Sequence, residues 1–159
     1  MKVQAGTARL TAEGALAVIL DHSMLSLADM RVLVIGFGRT GAAVCRILDR
    51  LGVSVDIATS ASPRPAGAFA EKVTDIGSAD LAEYDVIVNT APCRLIDDVA
   101  ALSIRHDAVY IDLASTPGVN LAMLRNMGLD ADVYPALPAK CAPESAAAAM
   151  RDFILEVTA

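Results

Sequence analysis

The run Arg31-Val-Leu-Val-Ile-Gly36-Phe37-Gly38-Arg39-Thr40-Gly41 decides the fold. A short β-branched stretch ends directly in a glycine, and GxGxxG follows. Residues 39–51 come next, with apolar Val44, Ile47, Leu48 and Leu51 at helical spacing and Gly52 as the stop signal. A second apolar run, residues 53–58, begins about twenty residues on. GxGxxG alone is a weak signal, but strand, turn, helix and strand supply the context that a dinucleotide-binding turn needs. In that context Gly36 makes the tight turn, Gly38 lets the backbone approach a diphosphate with no Cβ in the way, and Gly41 lets the helix close on the sheet. The helix N-terminus then offers free N–H groups and partial positive charge to the phosphates. A tight turn that binds nothing would use the same glycines, so the motif is read together with what surrounds it.

Outward from the turn, strands alternate with helices. Residues 85–89, 108–113 and 131–134 read as strands, with a brief one at 75–76. Residues 66–73, 95–102, 121–127 and 144–157 read as helices, and residues 59–65 and 135–143 as loops rich in Pro with Ser or Ala. Residues 1–10 carry no strong pattern and read as an N-terminal tail. From Thr11, a candidate cap, a helix is expected to about Leu27. The result is α/β: a Rossmann-type, doubly wound, mainly parallel sheet in a single domain over residues 11–159, with right-handed crossovers.

Composition narrows the function classes. The chain has 159 residues, a net charge of −6, 55% hydrophobic and 20% charged residues. That suits one folded domain and excludes charge-driven disorder. An acidic chain makes nucleic acid and anionic membrane poor partners. No uninterrupted apolar run is long enough to span a membrane, and no signal peptide is seen at the start. Cys45, Cys93 and Cys141 are widely spaced, with no CxxC pair, so a reducing, cytoplasmic setting and no metal site are expected.

The end of the second strand bears on the choice between NAD and NADP. Thr59 and Ser60 stand there, with Arg64 nearby, and Asp56 lies too early to reach a ribose. Hydroxyls and a guanidinium suit a 2′-phosphate better than a diol, so NADP is favoured and NAD is second choice. Arg64 pointing into solvent is the plainer alternative. Two further strand ends belong to the same face: Asn89-Thr90-Ala91-Pro92, and Asp112 with Ala114 and Ser115. They are expected to line the cofactor, unless Asn89 and Asp112 merely cap turns. No general acid or base stands out. His22, His106, Glu13 and Cys93 read as structural or surface residues, and Lys140 as a candidate for attracting a dicarboxylate. Leu16, Ile19 and Leu20 suggest a helix face that packs on a second copy or a partner.

Taken in order, Thr11-Ala-Glu-Gly14, the GFGRTG turn, Val88-Asn-Thr-Ala-Pro92, Ile111-Asp-Leu-Ala-Ser115 with Pro117-Gly118, Pro135-Ala-Leu-Pro138 and Ala142-Pro143 resemble the dipicolinate synthase A family, specifically its C-terminal nucleotide-binding domain. More distantly they are similar to the nucleotide domains of 2-hydroxyacid dehydrogenases and adenosylhomocysteinase. The resemblance implies an NADP-linked oxidation of a small dicarboxylate, a dihydro- or hydroxytetrahydrodipicolinate, to dipicolinate, a metabolite of sporulation. It implies as partner a flavoprotein-like second subunit. It also implies that Gly36, Gly38 and Gly41 hold the pyrophosphate while residues 90–92 and 112–115 flank the nicotinamide. The family's further N-terminal domain is not part of this chain. Ala136 and Ala139 stand where the family loop reads PGLPG, Val119 follows Pro117-Gly118 in place of a second glycine, and Ser60 stands where an Arg is common. The alternatives are a non-enzymatic nucleotide-sensing domain, or the nucleotide domain of another 2-hydroxy- or imino-acid dehydrogenase.

Overall fold

The computed structural model describes the backbone of residues 2–60 and 70–158, and side chains within these except for residues 2–5, 153 and 156–158. Six strands among the described residues form one sheet: β1 (Arg31–Ile35), β2 (Ser54–Ala58), β3 (Lys72–Thr74), β4 (Val86–Asn89), β5 (Val109–Asp112) and β6 (Asp130–Val133). Their order is β3-β2-β1-β4-β5-β6, and every pair is parallel. This is the doubly wound arrangement, with its topological switch between β1 and β4.

Both faces of the sheet are covered, which is why the central strands are apolar at nearly every position. Val32, Val34, Val55, Ile57, Val86, Val88 and Ile111 face a layer holding α1 (Lys2–His22), α2 (Arg39–Arg50) and α5 (Leu137–Cys141). Leu33, Ile35, Ile87 and Tyr110 face the other layer, with α3 (Asp98–Ala101), α4 (Leu121–Asn126) and two short 3₁₀ turns. The last helix, α6 (Pro143–Thr158), packs against α1 and α5.

Several boundaries differ from those read in the sequence. The expected tail is helical from Lys2, and α1 ends at His22 rather than near Leu27. Thr11 is no cap: its hydroxyl donates to the Thr7 carbonyl (2.9 Å) within the helix. Ala8, Leu10, Ala12, Ala15 and Ile19 are buried, so tertiary packing starts the helix early. The third strand is Lys72–Thr74, where a helix over 66–73 and a strand at 75–76 were expected. The first part of that expected helix, with residues 61–65 of the expected loop, lies outside the described residues. The register of β3, Asp56↔Lys72 to Ala58↔Thr74, makes it a three-residue edge. Helix α3 has only four residues, and the expected loop 135–143 contains α5. Among the described residues, no helix is long and apolar enough to cross a membrane.

Candidate nucleotide site

The glycine turn sits at the carboxyl ends of β1 and β2, beside the switch point. The Gly36 N–H donates to the Ala58 carbonyl (2.8 Å), and Thr90 N–H donates to the Ile35 carbonyl (2.9 Å), so the turn is held by both neighbouring strands. The Thr90 hydroxyl donates to the Ile35 carbonyl as well, also at 2.9 Å. Two of the glycines are required by the fold. Gly36 has φ +89°, and a Cβ there would stand 2.9 Å from the Thr90 hydroxyl oxygen. A Cβ on Gly41 would lie 2.2 Å from the Gly36 carbonyl oxygen, so only glycine lets α2 close on the turn.

Gly38 is different. Its φ of −75° is open to any residue, and a Cβ there meets no atom within 4 Å. The fold therefore makes no demand for glycine at 38, and there is open space over its backbone. Gly38 is also the N-cap of α2 and offers no side chain to the helix's first amides. The N–H groups of the first turn lack intrahelical partners by geometry and carry the positive end of the helix dipole. An anion lying over Gly38 would meet these donors with no Cβ between. Around them, Phe37 is half-buried against the core, Thr40 is half-buried, and Arg39 is exposed.

The remaining strand ends divide sharply. Thr59 is buried, with its N–H donated to the Thr74 carbonyl (2.9 Å), whereas Ser60 is exposed. Arg64 lies outside the described residues. Asp56 is buried and turned away from this end of the strand: Arg31 (3.0 Å) and the Tyr84 hydroxyl (2.9 Å) both donate to it. Burial, the hydrogen bond to Asp56 and its negative charge hold the Tyr84 phenol well above the ordinary range. At the end of β2 itself stand Thr59 and Ser60; the exposed carboxylate beside them is that of Asp75, the residue after the Ala58↔Thr74 pair on β3.

Asp112 and Asn89 are fully buried and bonded to one another: the Asn89 amide donates to both Asp112 oxygens at 3.1 and 3.0 Å. Asp112 also accepts from the Tyr110 hydroxyl (3.2 Å) and from the amides of Ala114 (3.0 Å) and Gly118 (2.8 Å). Its role in this structure is to fix the loop after β5 against the loop after β4. Gly118 permits that approach, since a Cβ there would fall 2.6 Å from the Asn89 amide nitrogen. Above this buried pair, Ala91 and Ala114 are half-buried and Pro92 and Ser115 exposed, all on the strand-end side. Tyr110 was not singled out in the sequence, where it reads only as an apolar strand residue, and Gly118 entered only through the Pro117-Gly118 turn.

The other residues singled out in the sequence have the following surroundings. His22 joins α1 to β6 through Asp130 (2.7 Å) and the Tyr134 hydroxyl (3.0 Å). His106 contacts the Met127 carbonyl (3.0 Å), Glu13 pairs with Arg9, and Lys140 and Cys93 are exposed. Ile19 is buried in the chain's own core and Leu16 is partly packed there, which leaves Leu20 as the exposed member of the suggested helix face. A cleft of about 530 Å³ opens beyond β5 and β6, lined by Leu113, Tyr134, Ala136, Leu137 and Met150.

A glycine turn of this kind at the switch point of a 3-2-1-4-5-6 sheet is the arrangement of the Rossmann-type, dinucleotide-binding fold. Within that class the chain resembles dipicolinate synthase A. It is 27% identical to that protein from Bacillus subtilis (strain 168) over 146 residues, 86% of this chain and 48% of the relative. The crystal structure of dipicolinate synthase A from Bacillus halodurans superposes with a TM-score of 0.92 at 26% identity, covering 99% of this chain and 56% of that one. A D-isomer specific 2-hydroxyacid dehydrogenase from Xanthobacter autotrophicus Py2, solved with NADPH and MES, shares the fold at a TM-score of 0.66 and 20% identity, over 80% of this chain and 50% of that one. The chain thus spans about half the length of the relatives it matches. No protein-family model matches it.

Proposed function

We propose that this chain is the NADP-binding part of an oxidoreductase of the dipicolinate synthase A kind. The observation that carries the reading is Gly38: a glycine the fold does not need, beside helix amides with no side-chain cap, at the switch point. The residues present suit a dinucleotide diphosphate, with the amides of the α2 first turn as donors and Gly36 and Gly41 holding the turn closed. Once bound, the nicotinamide would supply the hydride chemistry. This chain's own part is to grip the diphosphate and, through the Asn89–Asp112 pair, to fix the two loops that flank the nicotinamide half. NADP is favoured over NAD because β2 itself ends in the exposed Ser60, while its own carboxylate, Asp56, is buried and paired with Arg31 and Tyr84. By likeness to the relatives, the substrate is a small dicarboxylate, a dihydro- or hydroxytetrahydrodipicolinate. Turnover then requires a further domain and the flavoprotein-like second subunit.

Calorimetric titration with NADPH and NADH tests the cofactor reading. Saturable binding with NADPH tighter by at least about tenfold, or about 1.4 kcal/mol, is expected. Equal or reversed preference would remove the NADP assignment, and no binding of either would remove the function. Turnover of NADP with freshly generated hydroxytetrahydrodipicolinate tests the reaction, run with and without an added N-terminal domain and second subunit.

A further inference from the structure

A second feature, running from the glycine turn along α2, is a cleft of about 840 Å³ between α1 and α2. Arg39, Arg46 and Arg50 of α2 line it. At 100° per residue these three fall within about 40° of one another and span about 16 Å along the helix. Across the cleft Arg9 pairs with Glu13 at 2.5 Å, and Glu13 is the only carboxylate among the described lining residues. Arg31, Arg94, Arg105, Arg125 and Arg151 each pair with a carboxylate, but Arg39 and Arg50 have none among the described residues. A chain of net charge −6 therefore concentrates positive charge along one groove. Between the arginines the walls are apolar, with the half-buried Ala42, Ala43 and Ile47 over the buried Ala12, a surface on which another helix can pack.

The geometry points to this cleft as the docking site for the acidic face of an amphipathic helix from a partner protein. Carboxylates at i, i+7 and i+11 on that helix match the arginine stripe, and its apolar flank fits the alanines. The stripe is too long for one phosphate ion, and the acidic remainder of the chain repels a nucleic acid or an anionic bilayer. Two copies meeting here about a two-fold axis would set arginine against arginine.

The test uses a fluorescein-labelled helical peptide of about eighteen residues with Glu at i, i+4, i+7 and i+11, and Leu and Ala beside them. Anisotropy should show saturable binding that weakens at least about tenfold between roughly 50 and 300 mM salt. Amide shifts in ¹⁵N spectra should gather at Ala12, Ala42 and Ala43. The double variant Arg46→Glu/Arg50→Glu should lose the peptide by at least about tenfold and bind its Lys-faced counterpart instead. If that variant fails to fold, Arg46→Gln/Arg50→Gln serves in its place, with the parent's shift map as the independent readout. Absence of binding, unchanged affinity in a folded variant, shifts outside the cleft, or displacement of the peptide by a single-stranded oligonucleotide or phosphatidylglycerol vesicles would each overturn the proposal.

Discussion

Three glycines within one short turn do different work, and substitution separates their roles. Gly38→Ser adds a side chain into open space and supplies a favourable helix N-cap, so thermal unfolding should be unchanged or slightly raised. NADPH affinity in the same variant should fall by at least about tenfold, because the hydroxymethyl occupies the path of the diphosphate. Gly41→Ala places a methyl 2.2 Å from a backbone oxygen and should cost several kcal/mol, at least about 3, measurable by urea denaturation. If Gly38→Ser bound NADPH like the parent, the cradle would be structural only. These glycines were legible in the sequence because all three fall within six residues, directly between a strand run and a helix run. The Asn89–Asp112 pair was legible only as two polar strand ends. Its closure depends on Tyr110 and on the close approach of Gly118, and the two side chains lie 23 residues apart.

At the level of elements, the β-branched runs of β1, β4 and β5 could be read directly because both sheet faces bury them. The edge strand β3 could not: three residues carry no period, and their conformation is imposed by pairing with β2. Helix α5 was masked by its prolines, yet Pro138 lies in the first turn, where its missing N–H costs nothing. The N-cap of the same helix is Ala136, with φ +57°, the only positive-φ residue other than glycine among those described. A methyl in the left-handed region costs roughly 1–2 kcal/mol, partly offset by the extra freedom glycine gives the unfolded chain. Ala136→Gly should therefore stabilise the protein by about 0.5–1 kcal/mol, seen as a higher urea midpoint with unchanged slope. A lower midpoint would show that the left-handed turn is not held in solution.

Across the whole molecule, burial keeps several weak acids neutral. Burial pushes the Cys45 thiol up to about 12, and the Tyr84 and Tyr110 phenols are raised, chiefly by burial as well. An unfolded thiol ionises near about pH 8.5, so Cys45 contributes fully below that value and its contribution erodes as pH rises toward 12. By pH 10 the loss from Cys45 alone should be about 2 kcal/mol, and Cys45→Ala should flatten the fall of Tm between about pH 9 and 10. A disulfide-exchange reagent at about pH 8 should modify Cys93 and Cys141 quickly and Cys45 only on unfolding. The strand order carries a different consequence. In the sheet, β3-β2-β1 joins β4-β5-β6 through one ladder alone, Val32–Ile35 against Val86–Asn89. A dinucleotide laid over the end of that ladder would rivet the two halves of the sheet across their common seam, so the ligand would act as a clasp on the architecture as well as a passenger in it.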